Sequence, residues 1–327
     1  MSLFYALMSI APCMIGLRCY RGYSSPFSFD IDESQHPAWM GRLPDAANIT
    51  SLSIPGTHDT MTYSLADDIQ LQCQNYNLTM QLRAGLRYFD IRARLRDDKL
   101  RIYHAAGDTG FDLEDVLTAM FDFLDENPSE TVIMRLKEEG SPIGDNNNMS
   151  FEEAFEYYRH LSPVTSVGAG KHLFLYDRTS PIPTLGALRS KIFLLQQFKS
   201  EKPYGLEWEG PQMRLEDLWI IPDVYHLADK WTAIRDALEE AALAELDNSL
   251  LYLAHVSASV GVLPIEAAAG PANRTVVGMN DMTGQWLQDY LDAEGAARTG
   301  VVILDFPGKK VVDAVLKWNS WMEGDRS

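Results

Sequence analysis

Short apolar runs of strand length recur along most of the chain, at Ser51–Ile54, Tyr88–Leu95, Leu100–His104, Thr131–Leu136, Lys191–Gln197, Leu218–Pro222, Leu250–His255 and Val301–Phe306. Between several of them apolar positions return at helical spacing, over Leu113–Glu126, Phe151–His160, Leu227–Leu246 and Met282–Leu291. Thr109 or Asp112 is placed to cap the first of these helices, and Asn127-Pro128 to stop it. Strand then helix, repeated over about 270 residues, predicts a parallel sheet with helical crossovers. Near eight strands, a closed barrel is the leading architecture and an open sheet the alternative. Glu139–Asn148 and Gly261–Asn273 read as loops, and Pro181-Ile182-Pro183 as a break. None is a domain linker, because the rhythm resumes after each. The chain thus divides into an N-terminal segment, 1–40, and a single α/β domain, 41–327.

Composition narrows the class. Of 327 residues, 46% are hydrophobic and 23% charged, enough apolar material for a sizeable core in a soluble protein. The net charge of −18 opposes nucleic-acid phosphates and anionic membranes at long range, so no nucleic-acid partner is expected. Cys13, Cys19 and Cys73 show no metal-ligand spacing and allow at most one internal disulfide. Leu3 to Leu17 is apolar like a signal-peptide core, yet no Lys or Arg precedes it, and it is short for a membrane span. The sequons at Asn48, Asn77, Asn148 and Asn273 suit secretion but also arise by chance, which leaves a secreted or a cytoplasmic location open.

Three segments carry chemistry. Leu52-Ser53-Ile54-Pro55-Gly56-Thr57 is a short strand that Pro-Gly is expected to turn, presenting His58 and Asp59 at its end. In Arg87–Arg94, Asp90, Arg92 and Arg94 share one face of a strand, Phe89 and Ile91 the other. Charges on a face of a parallel strand need partners or a solvated mouth. Leu100–His104 ends in a second histidine. Each piece has a plain structural reading: a hydrogen-bonded histidine, a helix cap at Asp59, an internal Asp90–Arg92 ion pair. Together they supply a base, an acid and a fixed positive charge, which is what phosphodiester cleavage without a metal requires. His160, His172 and His226 have no companion motif and read as structural.

The run Ser53-Ile54-Pro55-Gly56-Thr57-His58-Asp59, followed by Tyr88-Phe89-Asp90-Ile91-Arg92 and Tyr103-His104, resembles the X domain of bacterial-type phosphatidylinositol-specific phospholipases C. The resemblance extends over roughly Leu52 to Asp305. It implies a distorted (β/α)8 barrel with catalytic groups at the carboxyl ends of the strands. It implies that His58 is the general base on the inositol 2-hydroxyl and His104 the general acid on the departing diacylglycerol oxygen. Asp59 then orients His104, Asp305 supports His58, and Arg92 binds the phosphate. Lys137, Asp223 and Tyr225 match inositol-contacting positions, and Asp90 completes the local network. The implied products are diacylglycerol and a cyclic inositol phosphate. Calcium-using relatives carry an acid where Arg92 stands, so no metal or other cofactor is expected. The partner implied is a phosphatidylinositol-like phospholipid met in transient contact with a membrane surface, by a monomer.

Two departures bear on specificity. Gln197 stands where the bacterial enzymes carry an inositol-binding arginine, and it brings hydrogen bonds without charge. Asp67 to Asn77 is polar where those enzymes offer an apolar helix to the membrane, so weak membrane residence is expected. Trp208 reads as buried or partly buried, Ser257 and Ser259 as possible pocket lining, and His255 as a third strand-end histidine. Another phosphodiester or phospholipid as substrate, or a non-catalytic lipid- or inositol-phosphate-binding barrel, are the alternatives.

Overall fold

Eight parallel strands form the path of one curled sheet in the computed structural model, which describes residues 10–12, 18–20 and 25–323, and a two-residue strand, Leu173–Phe174, pairs parallel with Lys191–Gln197 off that path. In chain order the strands are β1 (Ser53–Thr57), β2 (Tyr88–Arg96), then an antiparallel hairpin β3 (Lys99–His104) and β4 (Gly107–Asp112) attached to β2, followed by β5 (Thr131–Glu138), β6 (Lys191–Gln197), β7 (Leu206–Glu207), β8 (Met213–Glu216), β9 (Leu251–His255) and β10 (Gly300–Leu304). The order across the sheet is β7-β6-β5-β2-β1-β10-β9-β8. β7 and β8 are therefore its two ends, joined by residues 208–212 and not by ladder hydrogen bonds, so the barrel stays open on that side. All eight carboxyl ends face the same way, which is why one mouth collects the functional groups.

Helices α1 (Leu78–Ala84), α2 (Leu113–Glu126), α3 (Phe151–His160), α4 (Leu227–Leu243) and α5 (Met279–Asp289) lie in the crossovers, and α6 (Lys309–Lys317) follows the last strand. α2 begins where its sequence says: the Asp112 carboxylate accepts from the Glu114 N–H at 3.0 Å while Asp115 accepts from the Asp112 N–H at 2.9 Å. This reciprocal box satisfies N–H groups that a helix start leaves orphaned, contributing about 1 kcal/mol.

Period-two alternation sorts the strand residues. Val301 and Ile303 join a cluster with Ile54, Leu251 and Leu253, whereas Val302 and Leu304 pack with Val311, Val315 and Leu287 of α6 and α5. Both faces are buried, as a parallel sheet under helices requires, and each such side chain contributes roughly 2 kcal/mol. Residues 27–40 pack on the same body: Ile31, Trp39 and Met40 are buried, and the Phe29 N–H donates to the Phe306 carbonyl at 3.1 Å. Cys13, with most of Leu3–Leu17, and the Cys19 side chain lie outside the described residues.

Four expectations are corrected. Pro55-Gly56 does not turn the chain; both lie within β1, and Gly56 lets β1 close on β2, since a Cβ there would stand 2.5 Å from the Tyr88 Cβ. Leu100–His104 is not a barrel strand, because it pairs antiparallel with β2 after a two-residue turn. In Leu218–Pro222 only Ile220–Ile221 is extended, and it pairs with Ser259–Val260 in a separate two-stranded sheet at the rim. The barrel strand is the four-residue β8 just before it, whose apolar–charged alternation is too short to register as a strand. Gly261–Asn273 also contains a one-turn helix, Pro264–Ala269.

Candidate active site

His58 leaves β1 held from both ends of its backbone. Its N–H donates to the Leu304 carbonyl (3.1 Å), and its own carbonyl accepts from Gln74 Nε2 (2.7 Å). The ring is fixed as firmly, with Nδ1 2.9 Å from Asp305 Oδ1 and Nε2 3.1 Å from Asp59 Oδ2. Asp59 adopts a left-handed backbone, φ 41°, a conformation that costs a non-glycine residue energy and is found where surrounding structure enforces it. Its Oδ2 also lies 3.2 Å from His104 Nε2, and its Oδ1 lies 3.0 Å from Arg92 Nε. His104 sits at the tip of the hairpin with Nδ1 2.7 Å from the Leu71 carbonyl. A carbonyl only accepts, so Nδ1 carries a proton and Nε2 is the nitrogen turned toward Asp59.

Arg92 is clamped on its other side by Asp90, whose Oδ2 accepts from Nε (2.9 Å) and Nη2 (2.8 Å). Asp90 also faces Arg135 Nη1 at 3.3 Å from β5. The side chains of His58, Arg92 and His104 keep 15%, 12% and 16% of their surface open, all toward a cleft of about 260 Å³. Arg135, Lys137, Glu139, Asp217, Trp219 and Ser259 line the remainder.

Burial and charge set the protonation pattern. Burial, helped by Arg92, pulls the His58 imidazole well below its usual range, so the resting ring is neutral and able to accept a proton. Burial pushes Asp305 well up and raises Asp59 against the opposing pull of Arg92. For Asp90 burial also pushes upward, but Arg135 and Arg92 outweigh it and hold the carboxyl well below the usual carboxylate range. Arg92 loses solvation on burial, yet Asp59 and Asp90 more than restore its charge. His255 is buried beside His58, ring centroids 5.7 Å apart, and burial lowers it to about 4.

His58, Asp59, Arg92, His104, Asp305 and Asp90 thus form one connected constellation, and Lys137 lines the same cleft, paired with Glu139 at 2.6 Å. Gln197 lies behind it, its Oε1 accepting from Arg135 Nε (2.9 Å) and Nη2 (2.5 Å). Asp223 and Tyr225 are not brought into the cleft. Asp223 caps the turn Val224–His226, and Tyr225 is 72% exposed beside a separate apolar groove with Trp231 and Val277. The cause is that the barrel strand here is β8, Met213–Glu216, which ends before Leu218–Pro222 begins. With β8 ending at Glu216, Asp217 and Trp219 emerge at the mouth, and Asp217-Leu218-Trp219 repeats the acid-x-aromatic pattern of Asp223-Val224-Tyr225.

Sequence reasoning also missed Arg135, Glu139, Gln74 and the Leu71 carbonyl. The polar segment Asp67–Asn77 folds under the site and supplies the last two. Arg135 alternates with Lys137 along β5, which the sequence shows, but only the strand register sets it beside Asp90. His58, Asp59 and Cys73 offer donor atoms within 4.8 Å of one another, as a metal site would. Both His58 nitrogens already face carboxylates, Arg92 faces Asp59, and burial pushes the Cys73 thiol well up, so a cation there would displace existing pairs.

The family of phosphatidylinositol-specific phospholipase C X domains matches residues 52–198. The 1-phosphatidylinositol phosphodiesterase of Listeria monocytogenes is 33% identical over 305 residues, 86% of this chain and 85% of its own. The chain belongs to this phospholipase C family. The solved Listeria monocytogenes phosphatidylinositol-specific phospholipase C, at 31% identity, superposes with a TM-score of 0.68 over 86% of this chain and 98% of its own. A Staphylococcus aureus phosphatidylinositol-specific phospholipase C shares the fold, with a TM-score of 0.69 at 21% identity, over 88% of this chain and 99% of its own. A TIM-like barrel and an enzyme of this family are what the sequence implied.

Proposed function

We propose that this enzyme cleaves phosphatidylinositol, or glycosylated forms of it, to diacylglycerol and inositol 1,2-cyclic phosphate. His58 Nε2 takes the proton of the inositol 2-hydroxyl, and that oxygen attacks phosphorus. The new P–O bond closes the cyclic phosphate while the P–O bond to glycerol breaks. His104, protonated on Nε2, gives its proton to the departing glycerol oxygen. Arg92 faces the non-bridging phosphate oxygens with a charge that Asp59 and Asp90 keep fixed. The nucleophile belongs to the substrate, so proximity supplies several kcal/mol of the barrier reduction. General base and general acid each add about 10²–10⁴-fold.

The observation that carries this reading is that both imidazoles address one carboxylate oxygen, Asp59 Oδ2, with Arg92 on its partner oxygen. Lys137, Glu139 and Asp217 line the same cleft and bring a donor and two acceptors that the hydroxyls of a cyclitol could use. Leu218, Trp219, Ile220 and Val260 are exposed at the rim and suit transient contact with a lipid surface. The net charge of −18 keeps that contact weak on anionic vesicles.

The test is cleavage of phosphatidylinositol in mixed micelles with and without EDTA, alongside His58→Ala. Cleavage that persists in EDTA and is lost in the variant is the expected result. A folded parent enzyme that leaves phosphatidylinositol intact would remove it as substrate.

A further inference from the structure

Arg135 is a buried cation with more donors than partners. A guanidinium offers five N–H donors. Gln197 Oε1 engages Nε and Nη2, and the Asp90 carboxylate faces Nη1, so at most three are used in these contacts. The residue is 3% exposed, and it lines the catalytic cleft. Its guanidinium lies over the Trp208 ring, 3.8 Å from the centroid, and Trp208 is itself buried. Glutamine below, carboxylate beside and indole against the face hold the fork in one orientation, so a ligand would find it already ordered.

Its surroundings say what it could receive. Arg92 stands beside the two imidazoles, whereas Arg135 projects from the next strand, in register with Asp90. Asp90 neutralises it at 3.3 Å, and Asp217 and Glu139 line the same cleft. A second phosphate there would meet carboxylates. A ring of vicinal hydroxyls would meet donors on Arg135 and Lys137 and acceptors on Asp217 and Glu139, the alternation that a polyol satisfies.

We propose that Arg135 is a substrate-binding, specificity-determining residue that donates to ring hydroxyls of a cyclitol headgroup, with Gln197 acting as its positioning residue. The charge that β6 lacks at Gln197 is thereby supplied from the neighbouring strand β5. This rests on the reading of the cleft as a phosphatidylinositol site.

The experiment compares the parent enzyme with Arg135→Lys, Arg135→Gln and the transposed pair Arg135→Gln/Gln197→Arg, each checked for folding by circular dichroism and thermal melting. Calorimetric titration with free myo-inositol reads binding without turnover, and phosphatidylinositol kinetics separate KM from kcat. Arg135→Gln should weaken inositol binding at least 10-fold and raise KM more than it lowers kcat. Arg135→Lys, which keeps the charge but loses the fork, should fall between. Transposition should recover most of the loss by returning a guanidinium to the same spot. Parent-like inositol binding and KM in a folded Arg135→Gln would overturn the assignment while leaving the cleavage reading intact, as would a transposed pair no better than the single variant. A parent enzyme that neither binds inositol nor cleaves phosphatidylinositol would remove both.

Discussion

His58 and His104 face each other across a single carboxylate oxygen. Their rings are 6.2 Å apart at 81°, and Asp59 Oδ2 lies 3.1 Å from one and 3.2 Å from the other. The two rings are therefore coupled: under the proposed mechanism, when a proton arrives on His58 and another leaves His104, Asp59 compensates both changes.

From that coupling, His58→Ala and His104→Ala should each lower kcat by about 10²–10⁴-fold. The double variant should lose far less than the product of the two, because groups acting as a unit are not additive. Asp59→Asn should lower kcat with little change in KM. Steady-state kinetics on the four proteins decide it, and fully multiplicative losses would mean that the histidines act independently.

The His58 imidazole should titrate below 6.5 in the resting enzyme, since burial and Arg92 both disfavour its charged form. Removing the guanidinium with Arg92→Gln should move its titration upward. Histidine NMR across pH 4 to 8 measures this directly. A downward move in Arg92→Gln would show that the positive neighbour is not what depresses it.

His255 makes stability sensitive to acid. Its buried ring protonates at about 4, against 6.5 for an exposed one, so between those values the unfolded chain binds a proton that the folded chain refuses. Stability is complete above pH 6.5 and falls as pH drops toward 4, by about 3 kcal/mol. His255→Phe should flatten that part of the curve in denaturant titrations at pH 7 and 4.5, and an unchanged slope would assign the acid sensitivity elsewhere.

Val260 holds a β-branched side chain at φ 78° on the rim, 68% exposed. Such a backbone costs roughly 1–3 kcal/mol and calls for a local reason. Val260→Gly should raise the melting temperature while lowering binding to zwitterionic phosphatidylcholine vesicles doped with substrate. Ile220→Ser should lower vesicle turnover without altering turnover of a soluble inositol phosphodiester. Equal losses on both substrates would place Ile220 in headgroup binding rather than surface contact.

Gly56→Ala should destabilise the protein by several kcal/mol or prevent folding, because the new methyl would overlap the Tyr88 Cβ and carbonyl at 2.5 and 2.7 Å. Thermal melting reads it out.

The candidate constellation was legible because it is local. His58 and Asp59 follow one strand, Asp90 and Arg92 alternate on another, and each was recognisable from a few consecutive residues. α2 and α3 likewise carry their caps and apolar spacing in their own sequence, and their observed bounds are those read from it. The parallel strand β8 was not legible. Met213–Glu216 offers four residues, whereas the exposed Leu218–Ile220 run imitates a buried strand, and Asp223 and Tyr225, which follow that run, fall outside the cleft. Nor could Arg135 be ranked from sequence, since its meaning lies in Gln197, 62 residues away, and in the Trp208 ring against its face. Short-range chemistry is written in neighbouring residues. Which side chains share the cleft depends on strand register and packing, and those exist only once the sheet has curled.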